Sequence, residues 1–242
     1  MGSGNDWLEL VQTYFPNYCN ILVNLPGHGE TALPANVNFT EILSTLTKQL
    51  KNTGIEKFIP IGYSMGGRLA FHLHQLAPER IPALVFLSST PGLKTRSEQR
   101  QRRLDDSRLL DKLEHIGFSH FIEEWYSAGL FGDIKNSGAL YNKLYHARSN
   151  NDIEQLRQAL ELMGNGALLS LWDHLVDIAI PTLLMTGALD SKYFQLNREI
   201  QGKISGSIHK QVADAGHAFH LEKPLETAQI MRHFLSEIFE GE

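Results

Sequence analysis

The residues able to do chemistry begin with a hydroxyl. Ser64 sits in Gly62-Tyr63-Ser64-Met65-Gly66, directly after the apolar run Lys57 to Gly62 and directly before a helical stretch. G-x-S-x-G between a strand and a helix places the serine on a sharp bend, with its hydroxyl projecting above the strand ends. Gly62 and Gly66 are expected to supply the clearance that strand and helix need at so close an approach, with Gly67 extending it. A helix starting just past Ser64 aims free N–H groups and its positive dipole end at developing negative charge. The Met65 N–H is therefore the expected oxyanion donor.

A serine hydroxyl is unreactive near neutral pH without a base, so a histidine and a carboxylate to orient it should come later in the chain, in the order serine, acid, histidine. Asp190 fits the acid, because it comes after Thr182 to Thr186 through Gly187-Ala188-Leu189 and so lies at the carboxyl end of a strand. His217 fits the base, in the Gly-preceded loop Asp214-Ala215-Gly216-His217 ahead of a C-terminal helix. Asp177 and Asp214 are rival acids, but neither ends a good strand. Among the 11 histidines, His72, His74, His115, His120, His146 and His233 fit helical segments and read as surface residues. His220 shares the His217 loop and reads as supporting or exposed. Neither loop histidine has further ligands at metal-binding spacing, so no metal is expected.

Positioning these groups requires a layered scaffold. Cys19 to Leu25, Lys57 to Gly62, Ile81 to Leu87, Thr182 to Thr186 and, more weakly, Ile208 to Val212 read as strands. Phe39 to Leu50 has helical spacing, with Ile42, Leu43, Leu46 and Leu50 on one face, and Arg68 to Leu76 is a second helix. The alternation implies an α/β fold with a mostly parallel sheet covered on both faces. Leu93 to Trp172 breaks the rhythm: it is helical in pattern and rich in charge, with Arg96, Arg100, Arg102, Arg103 and Arg108 crowded at its start. That charge run reads either as a solvated helix surface or as a lid whose arginines face an anionic ligand. The expected organisation is a core of residues 1–92 and 173–242 with a helical lid at 93–172.

Composition bounds the partners. The chain has 242 residues with a formal charge of −5, 42% hydrophobic and 20% charged, ordinary for a globular protein and unlike a general nucleic-acid binder. The single Cys19 excludes an internal disulfide and a cysteine-rich metal site. No apolar run approaches the roughly 18–20 residues of a membrane span, and no basic-then-apolar segment marks a secretory signal. A cytoplasmic location is the expectation.

Across nearly its whole length, through P-G-H-G, G-Y-S-M-G-G and A-G-H, the chain resembles the α/β-hydrolase fold. A narrower resemblance rests on Gly62 to Arg68, Pro91-Gly92-Leu93, Arg102-Arg103, Trp125-Tyr126, Ala147-Arg148-Ser149-Asn150-Asn151 and Asp190-Ser191-Lys192. Together these are similar to the menaquinone-pathway synthase family that makes 2-succinyl-6-hydroxy-2,4-cyclohexadiene-1-carboxylate. The resemblance implies a lyase, not a hydrolase: Ser64, activated by His217 and Asp190, removes a proton beside a succinyl ketone, and pyruvate leaves. It implies no cofactor, and it places Arg68, Arg102 and Arg148 on the substrate's three carboxylates, with Arg103 a rival to Arg102 and with Tyr63 and Trp125 lining the pocket. Whether the quinone end product is menaquinone or phylloquinone stays open, as does the oligomeric state.

Two departures from the family are visible. Asn24 stands where relatives carry an acid before the P-G-H-G turn. The family also begins with a strand and a His-Gly-Phe-like loop that gives a second oxyanion N–H, and Gly2 to Trp7 resembles the segment just after that loop. The resemblance thus implies strands upstream of Met1. Without the one between the strands ending near Leu25 and Ile61, each unpaired buried backbone group would cost about 1–3 kcal/mol. This stretch of chain alone is then expected to be poorly stable or nearly inactive. Two other functions fit the serine turn: an esterase, thioesterase or carbon–carbon bond hydrolase working through an acyl-enzyme, and an inactive hydrolase-like binding protein.

Overall fold

In the computed structural model, residues 1–127, 131 and 133–239 are described; residues 128–130 and 132 of the expected lid lie outside them. Four parallel strands form one sheet in the order β1 (Ile61–Tyr63), β2 (Leu84–Leu87), β3 (Thr182–Gly187), β4 (Ile208–Val212). Every residue of β2 and β3 is buried, as both faces of an inner parallel strand must be when helices cover them. Alternation along the strands divides the core. Leu84, Phe86 and Leu184 meet α2 (Phe39–Asn52), α3 (Met65–Leu76) and α7 (Ser191–Gln201) on one face. Val85, Leu87, Leu183, Met185 and Val212 meet α1 (Leu8–Tyr14) and α9 (Pro224–Phe239) on the other.

Local chemistry sets the helix ends. Asn38 caps α2 by accepting from the Glu41 N–H at 3.0 Å, while Glu41 accepts from the Asn38 N–H at 2.8 Å. Asp190 caps α7, its Oδ1 accepting from the Tyr193 N–H at 3.1 Å. Between β2 and β3 lie α4 (Arg96–Ser127, kinked at Gly117), α5 (Ala139–Ser149) and α6 (Ile153–Met163), and no strand falls in that interval among the described residues. No described helix is long and apolar enough to cross a membrane.

The strand expected at Cys19 to Leu25 does not form. That stretch runs as irregular backbone, with Ile21 and Val23 45% and 40% exposed. The expected strand over Lys57 to Gly62 is likewise reduced to Ile61–Tyr63. The cause is geometric. A strand is held by a neighbour that takes its N–H and C=O groups. Among the described residues β1 is paired with β2 alone, and a cavity of about 1420 Å³ separates its free side from residues 17–25. The same cavity continues without a break to Ser64 and His217.

Candidate active site

Ser64 sits between β1 and α3 at φ 50°, ψ −109°, a conformation costing a non-glycine residue on the order of 1–3 kcal/mol. Neighbouring strands over-determine it: the Ser64 N–H donates to Leu87 O at 2.9 Å, and Ser64 O accepts from Ser89 Oγ at 2.8 Å. The close approach beneath the bend belongs to Gly62 and Gly67. A Cβ on Gly62 would lie 2.4 Å from Gly67 Cα, and one on Gly67 would lie 2.5 Å from Ser89 Cβ. Gly66, expected to share that duty, faces open space, since a Cβ there meets nothing within 4 Å. Met65 opens α3 directly after Ser64, which leaves its N–H free of an intrahelical partner.

His217, between β4 and α8 (Phe219–Glu222), bridges serine and acid. Its Nε2 is 3.2 Å from Ser64 Oγ and its Nδ1 2.7 Å from Asp190 Oδ2. The His217 and Asp190 side chains are 5% and 0% exposed, so water does not screen the pair. Asp190 Oδ2 also accepts from Ser88 Oγ at 3.2 Å. The rival acids lie elsewhere: Asp177 pairs with His174 at 3.3 Å on the exposed surface, and Asp214 occupies a left-handed turn at φ 50°.

Tyr63 lies beneath the histidines, its ring 5.1 Å from that of His217 and 4.3 Å from that of His220, and burial raises its hydroxyl well above its ordinary value. His220 is neither exposed nor idle in packing. It is 2% exposed and stacks on Trp7 at 4.8 Å, and burial lowers its pKa to about 3. His72 and His74 also depart from the surface reading, because α3 is wrapped on several sides. His74 is 6% exposed, and burial lowers the His72 pKa to about 4.

The arginines divide. Arg102 and Arg148 line the cavity together with Trp125. Arg103 turns away, donating to Gly166 O at 2.9 Å, whereas Arg102 Nε donates to Asp106 Oδ1 at 2.7 Å; the geometry therefore favours Arg102 over its rival. Arg68 is not among the lining residues. It lies buried, its charge within electrostatic reach of Tyr193, Arg102 and Asp106; its Nε has no partner among the described residues, and burial lowers its pKa to about 10. Asn24 fits as it stands, since its Oδ1 accepts from the Gly4 N–H at 2.7 Å.

Several site residues went unread in the sequence. Ser88 and Ser89 come directly after an apolar strand, and polar residues at that end of a parallel strand were a usable signal. Tyr193 lines the cavity with its ring 4.5 Å from that of His217; it directly follows the Asp190-Ser191-Lys192 motif, whose Lys192 lines the cavity too. Asp6 gave no signal of its own, although it binds Arg148 across 142 residues of sequence.

A serine at a strained strand–helix bend, relayed through histidine to a strand-end carboxylate on a parallel sheet, defines an α/β-hydrolase-fold protein, and a family model described as alpha/beta hydrolase fold matches residues 1–224. A Bacillus subtilis protein provisionally designated 2-succinyl-6-hydroxy-2,4-cyclohexadiene-1-carboxylate synthase is 34% identical, covering 98% of this chain and 88% of its own. The synthase of that name from Pectobacterium atrosepticum is 30% identical over 97% of this chain and 90% of its own. The solved structure of MenH from S. aureus superposes with a TM-score of 0.88 at 26% identity, covering 98% of this chain and 90% of that one. Within the fold class, this chain belongs to the 2-succinyl-6-hydroxy-2,4-cyclohexadiene-1-carboxylate synthases, lyases of menaquinone and phylloquinone biosynthesis.

Proposed function

We propose that the protein eliminates pyruvate from 2-succinyl-5-enolpyruvyl-6-hydroxy-3-cyclohexene-1-carboxylate, with Ser64 as the proton-abstracting base. The observation that carries this reading is the Ser64–His217–Asp190 relay opening into a cavity lined by Arg102, Arg148 and Lys192. Ester hydrolysis calls for an acyl pocket, whereas guanidinium and ammonium groups around the serine suit a polycarboxylate.

In this mechanism Ser64 Oγ takes the proton beside the succinyl ketone while its own proton passes to His217 Nε2. Asp190 holds His217 in the tautomer that accepts there and stabilises the imidazolium that forms. The Met65 N–H stabilises the enolate oxygen. Collapse of the enolate makes C2=C3, shifts the ring double bond from C3=C4 to C4=C5 and breaks the C5–O bond; the enolpyruvyl group leaves as the enolate of pyruvate and becomes pyruvate on taking back the proton held by the Ser64–His217 relay. The helices between β2 and β3 act as a lid that carries Arg102, Trp125 and Arg148 to the substrate. Arg68, off the cavity wall, adds its positive charge to the field around Tyr193 and Arg102.

The test is to offer the enolpyruvyl substrate and monitor pyruvate release. Pyruvate without a trappable acyl-enzyme is the expected result. Absence of pyruvate, with turnover of aryl esters through acylated Ser64, overturns the reading in favour of a hydrolase.

A further inference from the structure

The Arg148 guanidinium is already engaged. Its Nη1 donates to Asp6 Oδ1 at 2.9 Å and its Nη2 to Asp6 Oδ2 at 2.8 Å, a two-pronged pair with side chains only 6% and 13% exposed. Burial opposes the charge on Arg148, but Tyr126 and Asp6 outweigh it, and the pKa stays above its ordinary value. Asp6 is itself held in place. Its Oδ2 also accepts from the Ser3 N–H at 3.1 Å, within the capping turn that opens the 3₁₀ segment Gly4–Trp7. Asp6, Arg148 and Tyr126 all line the cavity that holds Ser64.

A carboxylate in a pocket for a polycarboxylate repels the ligand unless it serves another purpose. A placeholder that substrate displaces would sit on a free side chain, but Asp6 is tied to backbone. A planar guanidinium has five donors. Asp6 occupies one edge through Nη1 and Nη2 and Tyr126 takes a further hydrogen bond, which leaves the donors that remain fixed in direction. We infer that Asp6 is a positioning residue: it aims the free donors of Arg148 at one substrate carboxylate and, in the same contact, pins α5 to the N-terminal turn. Specificity for a carboxylate at that point is then set by a pair bridging core and helical segment, not by Arg148 alone. The inference rests on the polycarboxylate reading above and deepens it.

A double-variant cycle tests it. KM, kcat and Tm are measured for wild type, Asp6→Asn, Arg148→Gln and the combination. Misaiming a charge-assisted contact is expected to raise KM about 10–100-fold in each single variant, with kcat far less affected. Because Asp6 acts through Arg148, adding Asp6→Asn to Arg148→Gln raises KM no further. Asp6→Glu, which keeps the carboxylate, recovers part of the affinity even if Asp6→Asn folds poorly. An unchanged KM in Asp6→Asn, or KM effects that multiply in the double variant, overturns the inference. Failure of wild type to release pyruvate would instead sink the reaction assignment. Asp6 is then judged by succinate-induced thermal stabilisation: its loss in Asp6→Asn supports the positioning role, and an equal shift in both proteins refutes it.

Discussion

Gly67 packs against Gly62 so closely that neither position has room for a methyl group: a Cβ on Gly62 would lie 2.4 Å from both Gly67 Cα and Gly67 N. This contact, across the Ser64 bend, lets α3 start immediately above the end of β1. Gly66, between them in sequence, brings its backbone carbonyl carbon within 2.5 Å of that Cβ, but a Cβ of its own would meet nothing within 4 Å. Gly66→Ala should therefore fold normally, with Tm unchanged or raised by the equivalent of about 0.4–1 kcal/mol through lower unfolded-state entropy. Gly67→Ala forces overpacking against Ser89 and should lose on the order of 1–3 kcal/mol or more. Thermal denaturation of the two variants checks the contrast, and equal losses would sink it.

The asymmetry marks what a sequence can carry. The G-x-S-x-G spacing located the bend, Asp190 and His217 came from chain order and strand ends, and the strand–helix rhythm implied the parallel sheet. Each of these signals is local or fixed by short connections. The Asp6–Arg148 pair, the stacking of His220 between Trp7 and Tyr63, and the Ser88 contact to Asp190 are tertiary, joining residues whose own surroundings look ordinary. Cys19 to Leu25 failed in the opposite sense: its apolar run is strand-like, but strand formation needs a partner, and the neighbouring space is cavity.

The relay predicts a specific failure for Asp190→Asn. The carbonyl of the substituted amide would keep the Tyr193 N–H, and its N–H₂ would face His217 Nδ1, which must then accept. The imidazole proton moves to Nε2, facing Ser64, and the serine loses its base. Pyruvate release should fall on the order of 10³–10⁴-fold in kcat with KM little changed, as steady-state kinetics would show. Ser88→Ala removes a single hydrogen bond to the same carboxylate and should cost at most about 10-fold.

Acid should destabilise the fold through buried histidines. Burial lowers His28 and His220 to about 3. Unfolded, each would titrate near 6.5. Between roughly pH 6.5 and 3 the unfolded chain binds protons that the folded chain refuses, so stability falls as pH falls, by about 1.4 kcal/mol per pH unit for each group. His220→Phe keeps a flat ring between Trp7 and Tyr63, and the Nδ1 it removes has no partner among the described residues. Denaturant titrations at pH 7 and pH 5 should show a shallower pH slope in the variant, by about one proton; an unchanged slope would exclude His220 as a contributor.

Arg68 should show stability and function pulling in opposite directions. Its guanidinium is buried with Nε unpartnered among the described residues, and the lowered pKa reports the cost of keeping that charge out of water. Replacing such a charge by an apolar chain of similar length removes the desolvation penalty without leaving another charge behind, so Arg68→Met should gain about 1–3 kcal/mol in denaturant unfolding. The same change takes a positive charge from the field around Tyr193 and Arg102, both on the wall proposed to bind carboxylates, and should raise KM for the enolpyruvyl substrate about 10-fold or more. A costly buried charge persists in a fold when activity depends on it. A variant that is less stable and has an unaltered KM would show that Arg68 is held by packing its stem and has no part in anion recognition.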